Sequence, residues 1–277
     1  MSLTTEIIRA LHFILLLFSC FSLMLWVQEE FESILKRKKI VGIGFLQISF
    51  FKKVFENNNL KKSNLFKTLF SFLRLFFTFA PLTLLPFSDE IILFGDHFRL
   101  GLIENKNSLL IFVFFMMINE IIRPLSSTHL KINEKSLLLF IIFLASFLLV
   151  GKFYNFNEIL EYQRQYTEFG MRKYLIYINP IGALTLFQII INEIDSPSDS
   201  FDIVKLSTIN GYIILFIFCF LGGYSAPTLF SLEDRSVLNS VICILSFMSK
   251  YIFTLVSIWV YRYVFVKRKR EMVFNEY

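Results

Sequence analysis

Residues 237–262 read VLNSVICILSFMSKYIFTLVSIWVYR, and Lys250 is the one charge before the closing Arg262. A helix needs about 20 mainly apolar residues to cross the hydrocarbon core of a bilayer. This stretch meets that need. Six further apolar stretches lie upstream, near residues 6–27, 69–87, 108–122, 136–151, 174–191 and 208–224. The third and fourth of the seven are short and would need tilt, local thinning or protein cover. The expected fold is therefore an all-α polytopic membrane protein, with about seven transmembrane helices in one membrane domain over residues 1–277.

Composition supports that class. The chain is 55% hydrophobic and only 18% charged, against about 25% charged in soluble domains. A water-soluble globular enzyme is excluded on these grounds. The first apolar run is long, has no small-residue cleavage site and runs into charge, so it does not read as a signal peptide. Phe reaches 36 of 277 residues while Gly is 10 and Pro 6. Phe, Ile, Lys and Asn have AT-rich codons, so the skew points to an AT-rich genome, of which organellar genomes are common examples. Close helix approach in lipid favours small residues. Their scarcity predicts bulky Phe packing instead.

Charge is distributed unevenly. Segment 28–68 holds nine Lys and Arg against four acids, and residues 262–277 hold five against two. With seven spans, the segments on that side carry 18 Lys and Arg and the opposite loops carry 7. The positive-inside rule places the 18 on the matrix or cytoplasmic side and the N-terminus outside. The net charge of +6 thus reads as topology rather than as a nucleic-acid footprint, and no nucleic-acid partner is expected. Segment 192–207 departs from the pattern, with Glu193, Asp195, Asp199 and Asp202 against Lys205 alone. Segment 44–56, GFLQISFFKKVFE, places Phe45, Leu46, Ile48, Phe51 and Phe55 near one side. It reads as an amphipathic helix lying in the interface.

Other chemistry finds little support. Cys20, Cys219 and Cys243 sit within apolar runs, where small core- or lipid-facing residues are expected. His12, His97 and His129 are scattered without metal-ligand spacing. No metal, no catalytic residue and no tightly bound cofactor is expected. A secondary transporter or channel subunit is the rival class, but it predicts broken spans in related halves. The six prolines do not pair in that way. A structural membrane subunit with a degraded site is a third possibility.

Three segments, taken in order, carry a resemblance. The first is Gln28–Glu56, QEEFESILKRKKIVGIGFLQISFFKKVFE, with Glu30, Lys36-Arg37-Lys38, Val41-Gly42, Gly44-Phe45-Leu46-Gln47, Lys53 and Glu56. The second is Asn155–Gln165, NFNEILEYQRQ, with Glu158, Glu161 and Gln163. The third is Ile190–Tyr212, IINEIDSPSDSFDIVKLSTINGY, with Pro197-Ser198-Asp199 and Gly211-Tyr212. Ala80-Pro81, Glu134, and Lys250 nine residues before Trp259-Val-Tyr-Arg262 add to the set. In this order the segments resemble the family of NADH dehydrogenase subunit 1 and its bacterial counterpart, the quinone-channel membrane subunit of respiratory complex I. The sequence departs from the family in several places. Gly-Pro after the basic pair is absent, Glu193 is one position off the motif acid, and the motif Arg becomes Ser196. Two later acids become Val204 and Leu206.

The resemblance implies a subunit of H+-translocating NADH:ubiquinone reductase in the mitochondrial inner membrane, with no independent catalytic centre. Ubiquinone would be the substrate, and the flavin and iron–sulfur clusters would sit on partner subunits. The partners implied are other membrane-arm and peripheral-arm subunits and membrane lipids. Family members continue past the basic segment into one more span, so a short separate chain could supply that last helix. Quinone-channel candidates are Lys36, Arg37, Gln47, Asp199 and Asp202. Proton-path candidates are Glu134, Glu193 and Lys250, because buried carboxylates couple to their neighbours and can exchange protons. Glu134 is equally an exposed end cap. Lys250 is either a functional charge within a span or a cation snorkelling from its end. Glu158 and Glu161 are expected to serve structure.

Overall fold

The computed structural model describes residues 3–35, 65–85, 92–93, 96–97, 106–126, 134–165, 172–195, 203–223 and 237–267. Helices dominate them: α1 (Leu3–Leu35), α2 (Leu65–Leu82), α3 (Ser108–Ser126), α4 (Glu134–Gly151), α5 (Phe156–Arg164), the single turn α6 (Leu175–Ile178), α7 (Pro180–Asp195), α8 (Ile203–Phe220) and α9 (Val237–Tyr261). A π-helical turn, Arg262–Lys267, continues α9. A two-residue antiparallel ladder, β1 (Ile92–Leu93) with β2 (Asp96–His97), is a minor departure from an all-helical chain. Helix covers most of the described residues of each of the seven apolar stretches. The amphipathic segment 44–56 lies outside the described residues, as does most of 28–68.

Three helical stretches among the described residues are long and apolar enough to cross a membrane: Ser108–Leu125, Glu134–Gly151 and Val241–Val264. Two of them contain the apolar runs that read as short. The 18 residues of α4 span about 27 Å at 1.5 Å per residue, close to the roughly 30 Å of a hydrocarbon core. Helix α3 gains its length past the apolar run, through Arg123, Pro124 and Leu125.

Helix α8 is the centre. Residues 207–220 are buried on every side, as expected of a helix apolar all round. The other long helices have two faces, both apolar. In α4, Ser136, Phe140, Phe143 and Phe147 recur at helical spacing and face inward. Leu138, Ile141 and Leu149 face outward, Leu149 being 87% exposed. Phe72, Leu184 and Phe253 are also largely exposed. An outer surface so apolar suits lipid rather than water.

Packing follows the Phe-rich composition. Phe140 meets Tyr212 edge-on, and Phe143 and Phe147 both meet Phe220. One close approach uses small residues. The stretch 174–191, which reads as a single span, breaks at Asn179 before Pro180. Pro at the first helical position gives up no hydrogen bond that the helix would use. The Asn179 side chain accepts from the Gly182 N–H at 2.9 Å and donates to Ser146 Oγ of α4 at 3.0 Å. A Cβ at Gly182 would lie 2.5 Å from Ser146 Oγ and 2.6 Å from Asn179 Nδ2. Gly182→Val is therefore expected to destabilise the protein by about 1–3 kcal/mol through overpacking. Thermal unfolding in detergent measures the loss, and Ile181→Val on the exposed face serves as the neutral control.

Candidate functional site

The ends of α3, α7 and α9 and the start of α8 meet, and there a polar set interrupts the apolar core. Arg123 Nη1 donates to Glu120 Oε2 at 3.1 Å, one helical turn back on α3, and to Glu193 Oε2 of α7 at 2.6 Å. Tyr212 Oη of α8 donates to the other oxygen of Glu120 at 3.1 Å. All four side chains are buried, Glu120 at 1% and Tyr212 at 0% exposure. Pro124 follows directly. It has no N–H for the Glu120 carbonyl four residues back, so the backbone is also irregular at this point.

A second polar cluster adjoins through the neighbouring residue of α3. Arg74 Nε of α2 donates to Asn119 Oδ1 at 3.2 Å. Asn119 Nδ2 donates to Thr78 Oγ1 of α2 at 3.1 Å and Thr208 Oγ1 of α8 at 3.3 Å. Asn119 and Glu120 thus face different neighbours, and a polar belt crosses α2, α3, α7 and α8 at one level. Arg74 and Lys205 are close enough to act on Glu193 through space. Each of these side chains makes at least one polar contact, as deep burial of polar residues requires.

The arrangement is a compact buried ion-pair set. Two carboxylates share one guanidinium nitrogen, and a tyrosine hydroxyl touches one of them. Arg123 keeps its charge in proteins, so it fixes the separation of the two acids. Among the described residues no cluster of His, Cys, Asp and Glu could hold a metal.

The sequence-derived candidates fall in different places. Glu193 joins the buried set. Glu134 opens α4 and is exposed, the position of an end cap. Lys250 lies within α9, half-buried, and Nζ donates to the Gly223 carbonyl at 3.0 Å. The Tyr174 ring lies 5.9 Å from the same nitrogen. Gly222 and Gly223 follow α8 with positive φ. Gln163 Nε2 of α5 donates to the Phe218 and Cys219 carbonyls at 3.1 and 3.2 Å. Lys250 and Gln163 therefore close the C-terminal end of α8, whose last carbonyls lack intrahelical partners. Glu158 is structural in a similar way, accepting from the Tyr154 N–H at the start of α5. Lys36, Arg37, Gln47, Asp199 and Asp202 lie outside the described residues.

Sequence reasoning misses Glu120, Arg123, Arg74 and Tyr212. The usable signal is charge within apolar stretches: Arg74 lies inside 69–87 and Glu120 inside 108–122, and ionisable residues in such stretches mark functional positions by default. The geometry makes two of these contacts testable through stability. Arg123→Ala leaves two buried carboxylates without their shared cation and is expected to cost about 3–5 kcal/mol. Lys250→Met removes a charged donor from the Gly223 carbonyl and is expected to cost about 1.5–3 kcal/mol. Both are measured as shifts in thermal unfolding against the unaltered protein.

No protein-family model matches the chain, and no curated protein matches it significantly.

Proposed function

We propose that this chain is a membrane subunit of proton-pumping NADH:ubiquinone oxidoreductase. It crosses the mitochondrial inner membrane seven times, forms part of the ubiquinone channel and couples quinone reduction to proton translocation. The observation that carries this reading is the buried Glu120–Arg123–Glu193–Tyr212 set. It lies beside the acidic segment 192–207, which bears the third sequence resemblance. A coupling subunit needs acids that exchange protons out of contact with bulk water, next to the place where the quinone head is reduced. Flavin and iron–sulfur chemistry belongs to partner chains in this reading.

The test uses the intact native assembly. The chain should co-purify with NADH-oxidising flavoprotein activity, whereas a free oligomer lacking that activity favours a transporter. Within the assembly, Glu193→Gln and Asp199→Asn are each expected to lower NADH–quinone turnover by roughly tenfold. NADH oxidation by a water-soluble acceptor should stay near its original rate, because the flavin end is untouched. Equal loss of both activities would indicate failed assembly and count against the reading.

A further inference from the structure

Three consecutive residues at the end of α7 are each held by a cation from a different helix. Glu193 accepts from Arg123 of α3 at 2.6 Å. The Ile194 carbonyl accepts from Lys205 Nζ, in the first turn of α8, at 3.0 Å. Asp195 Oδ1 accepts from Arg262 Nε, at the end of α9, at 2.9 Å. Successive helical residues are turned by about 100°, so Glu193 and Asp195 leave the helix in different directions. The Ile194 contact adds a pull on a terminal carbonyl, which has no intrahelical partner. Arg262 is itself oriented: its guanidinium lies 5.1 Å from the Trp259 ring centroid, and the adjacent Tyr261 packs edge-on against Phe187 of α7 at 5.5 Å.

The three contacts differ in exposure. The Arg123–Glu193 pair is buried, whereas the side chains of Arg262 and Asp195 are 35% and 25% exposed. A partly exposed ion pair adds little to stability, so stability does not explain its place at this turn. We infer that Asp195 and Arg262 are a positioning pair that sets the rotation of the last turn of α7 and thereby seats the Glu193 carboxylate on Arg123. The inference rests on the proposal that Glu193 belongs to the coupling acids. A contact of 2.6 Å has little slack, so a small rotation of this turn lengthens it.

The experiment uses the whole assembly carrying Asp195→Asn, Arg262→Gln, Arg262→Lys or the exchange Asp195→Arg with Arg262→Asp. Two quantities are read. One is the infrared carboxylate band of Glu193, identified by its loss in Glu193→Gln. The other is NADH–quinone turnover, with a water-soluble acceptor as control. Asp195→Asn and Arg262→Gln are expected to shift the band and lower kcat about threefold to tenfold, with the quinone KM unchanged. Arg262→Lys keeps the charge but not the planar fork and is expected to fall between. The exchange should restore both readouts. An unmoved Glu193 band in Arg262→Gln and Asp195→Asn overturns the inference, as does an assembled exchange variant that restores neither readout. A band that shifts as expected, in an assembly whose quinone turnover survives Glu193→Gln, supports the positioning pair and overturns the functional reading instead.

Discussion

A single nitrogen of Arg123 faces the carboxylates of Glu120 and Glu193, and much of the helix arrangement serves that contact. Removing charges from water is costly, and mutual attraction offsets the cost only when geometry is good and the remaining polar atoms find partners. Helix α3 must therefore present Glu120 and Arg123 on one face, α7 must end beside them, and α8 must bring Tyr212 to the far oxygen of Glu120. The neighbouring Asn119 cluster ties α2 into the same level. Arg123 thus joins α3 to α7 directly, and to α8 through Glu120 and Tyr212.

The buried helix α8 poses the complementary problem. It has no face toward the surroundings, so its ends must be satisfied by other helices. At its finish Gln163 of α5 donates to the carbonyls of Phe218 and Cys219, and Lys250 of α9 to that of Gly223 just beyond; Lys205, near its start, in turn supplies a donor to the Ile194 carbonyl at the end of α7. Charged and amide side chains that look like candidates for chemistry can thus be explained by backbone satisfaction alone. Lys250 is the clearest case: its position in an apolar run invites a proton-path reading, while its contact is that of a helix cap.

Helices were the legible part of the fold, because long apolar runs leave the backbone few other ways to satisfy its polar groups. Boundaries were less legible. Helix α3 runs through Arg123 and Pro124, and the stretch at 174–191 divides at Asn179, where side-chain hydrogen bonds to Gly182 and Ser146 decide the break. Of the site, Glu193 was legible because an acidic segment interrupts a basic side. Glu120 carried a signal as a charge inside an apolar stretch, but Arg123, just past that stretch, looks like ordinary flanking charge. Their partner lies 70 residues away, and no local pattern reports a pairing over that distance. The expectation of bulky packing holds along α4 and α8, yet the Ser146–Gly182 approach shows that one close contact can rest on a single glycine.

The spacing of partners along the chain also sets an order of events during synthesis. Glu120 and Arg123 emerge together and can neutralise each other within one turn, so α3 presents a balanced pair before α7 and α8 arrive. Arg74 emerges 45 residues ahead of Asn119 and must be held at the membrane surface or inside the insertion machinery until α3 follows. Glu193 comes last and meets a cation already occupied by Glu120. The nascent chain therefore handles the Arg74 charge early and Glu193 late, onto a prepared partner. A ribosome pausing between α2 and α3 would expose the first of these states and lengthen the time in which quality-control proteases can act on it.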